Sequence, residues 1–385
     1  MKILHIQWSV LGSADIEEAF QAEGHKVVRF PFSKNQDVVH NREVEEGLTA
    51  ALHKETPDVV FSFNFFPVIS SVCAKENIRY ISWVFDDPCV FLYSHTAAND
   101  CNTIYVFDKE LCREFRGCGI STLHYMPLAV NVGRLDAMGQ GGLPYEYEVS
   151  FVGSLYIEQL NFFDQMFDAL TEYSKGYLHA LMAVQMQIQG YDLIEKSLSP
   201  VIGDLYRAHP FGVEPGNRAT REYLYAQYVI NRRVTSIERI DLLEAVAKKH
   251  PVDLFTYIRD FSMPNVSNHG AVEYYEEAPA VFKKSKVNLN MTLRSIKNGV
   301  PLRAFDILGA GGFLLSNFQN GFLDLFIPGE DFVYYQNKTD LVDKVGYYLK
   351  HEEERKAIAR NGHDKVAARH TYRHRVKEMF GRETC

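Results

Sequence analysis

The spacing of apolar positions changes period repeatedly along the chain. "KILHIQWSV" (2–10) is a nearly unbroken apolar run. "LGSADIEEAFQAEGH" (11–25) then carries apolar residues at helical spacing, opening on Gly12 and Ser13 and stopping at Gly24. This order predicts a strand, a glycine turn and a helix. "KVVRFPF", "DVVFSFN", "IRYISWVFDDP", "TIYVFD" and "STLHYMP" follow as short β-rich runs, separated by helical or turn-rich segments such as "EVEEGLTAALHKE". Strands alternating with helices predict a parallel sheet wound on both faces.

In "AMGQGGLPYEYE" (137–148), glycine, proline and charge interrupt the periodic pattern and mark a domain boundary. "VSFVGSL" starts a second set of strands, and a mostly helical stretch follows over about 158–250. There Leu160, Phe163, Met166, Phe167 and Leu170 recur at helical spacing, which predicts core packing or a helical insertion. "VDLFTYI", "AVEYY", "VFKKSKVNLNMT" and "FVYY" restore the strands. The end (351–380) reads as two charged helices, divided near Asn361 and Gly362 and again near His370. The expected fold class is α/β with two Rossmann-like doubly wound domains. The first covers 1–140 and the second 149–365, with the helical segment inside the second. Residues 366–385 are expected to form a C-terminal helix.

Composition narrows the classes of function. The chain has 385 residues, 46% of them hydrophobic, enough for two cores. Its 41 basic and 49 acidic residues give a formal charge of -8, which argues against nucleic acid as a partner. No apolar run approaches the roughly 20 residues of a membrane span, and the start, broken by His5 and Gln7, resembles a strand more than a signal peptide. Six cysteines without a CxxC pair suit reduced thiols in a cytoplasmic protein. Cys112, Cys118 and His124 lack the tight paired spacing of zinc ligands, so no metal is expected.

Ligands of doubly wound sheets bind beyond the carboxyl ends of the strands, which puts Gly12, Asn64, Asp86 and Asp87 on the functional rim. Gly12 and Gly153 each follow a strand, where a backbone can approach a ligand closely. The stretch "NGVPLRAFDILGAGGFLLSN" (298–317) reads as a helix start aimed at a buried strand. A helix beginning near Pro301 offers free N–H groups and a positive dipole end to a phosphate. Arg294, Lys297 and Arg303 lie before or within its first turn. The glycines 309–312 follow the helix, which suits a C-cap better than a phosphate loop.

"LNMTLRSIKNGVPLRAFDILGAGGFLLSNFQNGFLDLF", "LVDKVGYYLKHEEERKAIARNGHDKV" and "HTYRHR" resemble the carboxyl-terminal half of the CgeB family of spore maturation proteins. "HGAVEYYEEAPAVFKKSKV" upstream and, more weakly, "YISWVFDDP" and "MPLAVN" join the likeness. That family in turn resembles the retaining glycosyltransferases of the two-Rossmann-domain, or GT-B, architecture. The resemblance implies transfer of a sugar from a nucleotide-diphosphate-sugar donor to an unidentified acceptor, without a metal or other cofactor.

Carried over residue by residue, Asp306 stands where retaining relatives place the second Glu of a Glu, seven residues, Glu pattern, and implies a ribose contact. Asn298 stands at the first position, and its neutral amide departs from the pattern. Arg294, Lys297, Arg303 and the glycines 12 and 153 are implied donor contacts. Asp86, Asp87 and His95 are the implied acceptor-side catalysts, with His124 as an alternative base. Two other functions compete. One is a non-catalytic nucleotide-sugar-binding protein, which the departure at Asn298 keeps open. The other is a metal-dependent transferase or phosphohydrolase with Asp86 and Asp87 as ligands.

Overall fold

A computed structural model of the chain describes residues 1–33, 37–139, 144–157 and 162–381. Leu160, Cys385 and, at the expected boundary, Gly141 and Gly142 lie outside the described residues. The chain divides into two compact units.

Unit 1 comprises Met1–Val130, Gly212–Ala219 and His370–Cys385. Its strands are β1 (Lys2–Gln7), β2 (Lys26–Pro31), β3 (Val59–Phe63), β4 (Tyr80–Val84), β5 (Asn102–Val106) and β6 (Leu123–Tyr125). They pair in the order β2-β1-β3-β4-β5-β6, and every pairing is parallel. All residues of β3 and β4 are buried, as interior strands covered on both faces require. The edge strand β2 alternates with exposed positions and ends on Pro31, which an edge tolerates. The order reverses direction between β1 and β3, the place beyond whose strand ends sheets of this kind bind ligands.

Unit 2 comprises Asn131–Phe211 and Thr220–Arg369. Its strands are β7 (Tyr147–Val152), β8 (Val252–Phe255), β9 (Val266–Asn268), β10 (Ser285–Asn290), β11 (Leu314–Asn317) and β12 (Val333–Tyr335). They form a second parallel sheet in the order β12-β11-β10-β7-β8-β9, whose reversal lies between β7 and β10. Val149, Phe151, Leu254, Val287, Leu289 and Leu315 are among the residues of its core. The helices between β7 and β8 build a second core: Phe163, Met166 and Leu170 of the predicted stripe pack with Leu178, Ile194 and Val229.

Several expectations are corrected. The unit boundary falls after Val130 rather than at 140, because the helix Val132–Ala137 is tied into unit 2: Arg134 Nη1 donates to the Tyr275 carbonyl at 2.7 Å and Lys283 Nζ to that of Leu135 at 2.6 Å. Residues 212–219, expected in the second domain, belong to unit 1, where Arg218 N donates to the Tyr93 carbonyl at 2.8 Å. No strand forms at 271–275, and the strand expected from 281 begins at Ser285, after the helix Glu277–Lys284. Gly362 breaks nothing: it lies inside one helix, Glu352–Arg369. A Cβ there would come within 2.7 Å of Leu308 Cδ2 and closer still to the Asp331 carbonyl, so the glycine serves close packing. Among the described residues no helix is long and apolar enough to cross a membrane.

Candidate functional site

At the switch point of unit 2, the chain leaves β7 through Gly153 and Ser154 and leaves β10 through Met291. Arg239, from the helix Asn231–Ala247, is laid between those two ends and is only 8% exposed. Its Nη1 donates to the Ser154 carbonyl at 2.5 Å, Nε to that of Met291 at 3.2 Å, and Nη2 to the same Met291 oxygen. The guanidinium carbon lies 5.3 Å from the Phe151 ring centre and 5.0 Å from that of Tyr156. Gly153 permits this: a Cβ there would be 3.2 Å from the Phe151 ring and 3.8 Å from Arg239 Nη1.

Among the described residues no carboxylate pairs with Arg239. Burial pulls its pKa down, Tyr156 and Tyr335 oppose that, and nearby Arg303 adds to it. The Tyr335 hydroxyl is itself buried with no hydrogen-bond partner among the described residues. Carbonyl oxygens and two aromatic faces, rather than a carboxylate, compensate the guanidinium, so net positive charge remains at the ends of β7 and β10.

The helix Leu302–Gly309 has Pro301 as its N-cap. Arg303 lies 5.3 Å from the Phe282 ring centre, and its Nη1 is 3.5 Å from Asp306 Oδ2. Asp306, 6% exposed, accepts a hydrogen bond from the Tyr274 hydroxyl on Oδ1 at 3.0 Å. The 309–312 glycines do cap the helix, with Gly311 at φ 76°.

Arg294 and Lys297, expected beside the same diphosphate, are committed elsewhere. Arg294 clamps Glu238 with Nε on Oε2 at 2.5 Å and Nη2 on Oε1, and its Nη1 donates to the Ile188 carbonyl at 2.7 Å. Lys297 Nζ is 3.4 Å from Glu195 Oε2. Both line a small polar cleft with Gln185, Asp192 and Gln319, between the helical segment and the ends of β10 and β11. The backbone carbonyl of Asn298 packs against Gly321. A Cβ on Gly321 would be 3.1 Å from the Asn298 carbonyl carbon and closer to its oxygen.

In unit 1, Gly12 takes φ 82° at the start of the helix Ser13–Ala22. The group that approaches it is the Tyr372 side chain from the helix Tyr372–Gly381. Asp86 is exposed and is held by Asn64, while Asp87 is half-buried. His95 is exposed, and its backbone N donates to the Gly216 carbonyl at 3.2 Å. No hydrogen bond joins His95 to Asp86 among the described residues. His124 Nδ1 lies 3.3 Å from Arg116 Nη2, and among the described residues no group of three His, Cys, Asp or Glu is placed to hold a metal.

Arg239 and Tyr274 escape a reading of the sequence for motifs. Arg239 does leave a trace: it occupies the buried stripe of its helix, with Thr235 before it and Leu243 and Val246 after it. An arginine on an apolar face is a signal of buried chemistry.

The sequence model of a family described as "Glycosyl transferase-like" matches residues 232–381, a segment holding Arg239, Arg303 and Asp306. No protein of curated function is significantly similar in sequence. The fold is similar to that of a glycosyltransferase from Rickettsia africae ESF-5, at TM-score 0.54, 11% identity and 99% coverage of each chain. It is also similar to a sucrose-phosphate synthase from Thermosynechococcus elongatus, at TM-score 0.51, 14% identity and coverage of 99% of this chain and 98% of that one. A third neighbour is Anabaena HepE in complex with UDP-glucose, at TM-score 0.54, 9% identity and 99% coverage of each chain. At such identities the likeness is one of fold, and that fold is the GT-B architecture.

Proposed function

We propose that this protein is a glycosyltransferase of CgeB-like type, moving a hexosyl group from a nucleotide-diphosphate-sugar donor to an acceptor hydroxyl. The observation that carries the reading is the buried, carboxylate-free Arg239 at the β7/β10 switch point, close to Arg303. As the bond from the sugar to the diphosphate breaks, its electron pair passes to the leaving phosphate oxygen. Fixed cations and helix N–H groups stabilise that growing charge. Arg239 and Arg303 supply two such cations, so the reading requires no divalent ion, and activity is expected to survive a chelator. Asp306 takes the ribose hydroxyls, since a carboxylate can accept from both. Asp86, on the carboxyl rim of the unit 1 sheet, is assigned the acceptor hydroxyl. Retention of configuration belongs to the same reading, and proton NMR of the anomeric product tests it.

The deciding experiment is a thermal-shift panel of UDP, GDP and uridine on the parent and on Arg239→Met. A nucleoside diphosphate should raise the melting temperature of the parent. Arg239→Met should lose the response to the diphosphate far more than the response to the nucleoside. If no nucleoside diphosphate shifts the parent at saturating concentration, the reading fails. Nucleotide binding without donor hydrolysis or transfer would instead select the non-catalytic binding protein, the reading that Asn298 keeps open.

A further inference from the structure

Asn64 directly follows β3, at the switch point of the unit 1 sheet. It is 5% exposed and takes φ 59°, in the left-handed region that side chains other than glycine seldom occupy. Its polar groups are all engaged. The backbone N donates to the Trp83 carbonyl at 2.9 Å, and its carbonyl accepts from Ser62 Oγ at 2.6 Å. The side-chain Oδ1 accepts from the backbone N of Phe85 at 2.9 Å and of Asp86 at 3.1 Å, and Nδ2 donates to Asp86 Oδ2 at 2.7 Å.

The two Oδ1 bonds are enough to fasten the end of β3 to the turn after β4, and an aspartate could make them. The Nδ2 bond does something else. It fixes the side chain of an exposed carboxylate by one oxygen, and no described residue donates to the other. Strained backbone held in place by its surroundings is characteristic of functional sites.

We infer that Asn64 is a positioning residue: it holds the Asp86 carboxylate with Oδ2 tied and Oδ1 presented to a hydroxyl-bearing acceptor. The acceptor part of this inference rests on the glycosyl-transfer reading; the orientation of Asp86 does not. A carboxylate held in one orientation accepts a hydrogen bond from the acceptor's hydroxyl along a fixed line, and an exposed, freely rotating one does so only part of the time.

The test uses the full chain, with hydrolysis of UDP-glucose as the probe reaction. Asn64→Gly suits the left-handed backbone and removes only the side chain. It should stay folded, keep the parent KM for UDP-glucose and the parent thermal response to UDP, and lose about tenfold or more in kcat. Asn64→Asp keeps an oxygen for the backbone N–H groups of Phe85 and Asp86 and removes only the Nδ2 donation. It should keep most of the melting temperature and still lose turnover, a split that a purely structural Asn64 would not produce. A crystal structure of Asn64→Gly reads the inference without activity: the Asp86 carboxylate should spread over several rotamers. An unchanged single rotamer, or a parental kcat in Asn64→Gly, overturns it. A parent that neither binds UDP nor hydrolyses any nucleotide sugar sinks the transfer reading, and the rotamer result still decides the role of Asn64.

Discussion

The Tyr274 hydroxyl donates to Asp306 Oδ1 at 3.0 Å, so one oxygen of the carboxylate proposed for the ribose is already engaged. Removing the carboxylate and removing its occupant should therefore have opposite effects. Asp306→Ala should weaken UDP by about 1.5–3 kcal/mol, the usual worth of a hydrogen bond to a charged group. It should also abolish the preference for UDP over its 2′-deoxy analogue. Tyr274→Phe should tighten UDP by up to about 1 kcal/mol, because the ribose no longer competes with the phenol. Isothermal titration with both nucleotides checks the pair, and equal losses in the two variants would make Asp306 and Tyr274 a structural unit.

The Arg294–Glu238 pair is nearly closed to solvent, with side-chain exposures of 9% and 16%. Glu238→Ala leaves the guanidinium without its partner and should destabilise the protein by on the order of 3 kcal/mol. UDP affinity of the folded protein should be unchanged, because Arg294 faces the helical segment. Urea unfolding and UDP titration of the same sample separate the two effects.

Gly12 combines φ 82° with a Cβ position 3.1 Å from Tyr372 Cζ and closer to its hydroxyl. Gly12→Ala should lose about 2 kcal/mol or more through backbone strain and overpacking together. Adding Tyr372→Phe should return part of that loss, as non-additivity between touching residues requires. Thermal unfolding of the two single variants and the double variant measures the coupling.

Glu17 lies 2.7 Å from His5 Nδ1 and 2.5 Å from Arg29 Nη2. Burial resists its ionisation, but the hydrogen bonds from His5 and Arg29 outweigh that and hold its pKa at about 2, against an ordinary value of 4.5. A depressed folded pKa means that the ionised carboxylate stabilises fully above the unfolded value. That contribution, up to about 3 kcal/mol, is lost as pH falls from the ordinary value toward the folded one. In Glu17→Gln this stretch of the acid-unfolding profile should flatten, while the parent loses stability steadily across it.

Places along an element were legible in the sequence: Asp86 and Gly153 stand just past strand ends, Gly12 caps a helix, and Arg303 and Asp306 lie in the first turns of another. Proximity in sequence misled for Arg294 and Lys297. They sit within nine residues of Arg303, yet their side chains turn to Glu238 and Glu195 on the helical segment, and nothing local records that segment's position.

The alternation of short apolar runs with helical periods determined the two parallel α/β sheets by itself, because the periods of strand and helix are properties of the local backbone. Glycines carried less information than their positions suggested. At 24 and 311 they do end helices with positive φ, whereas at 362 the missing side chain admits the Asp331 carbonyl and the helix runs on. Only tertiary structure decided where the charges went. It brought Arg239 from the middle of a long helix to the ends of β7 and β10, set the Tyr274 hydroxyl on Asp306, and tied Asn64 to Asp86 across 22 residues. Charged side chains pair with whatever the fold carries within reach, and those partners lie far apart in the chain, beyond the reach of any local periodicity.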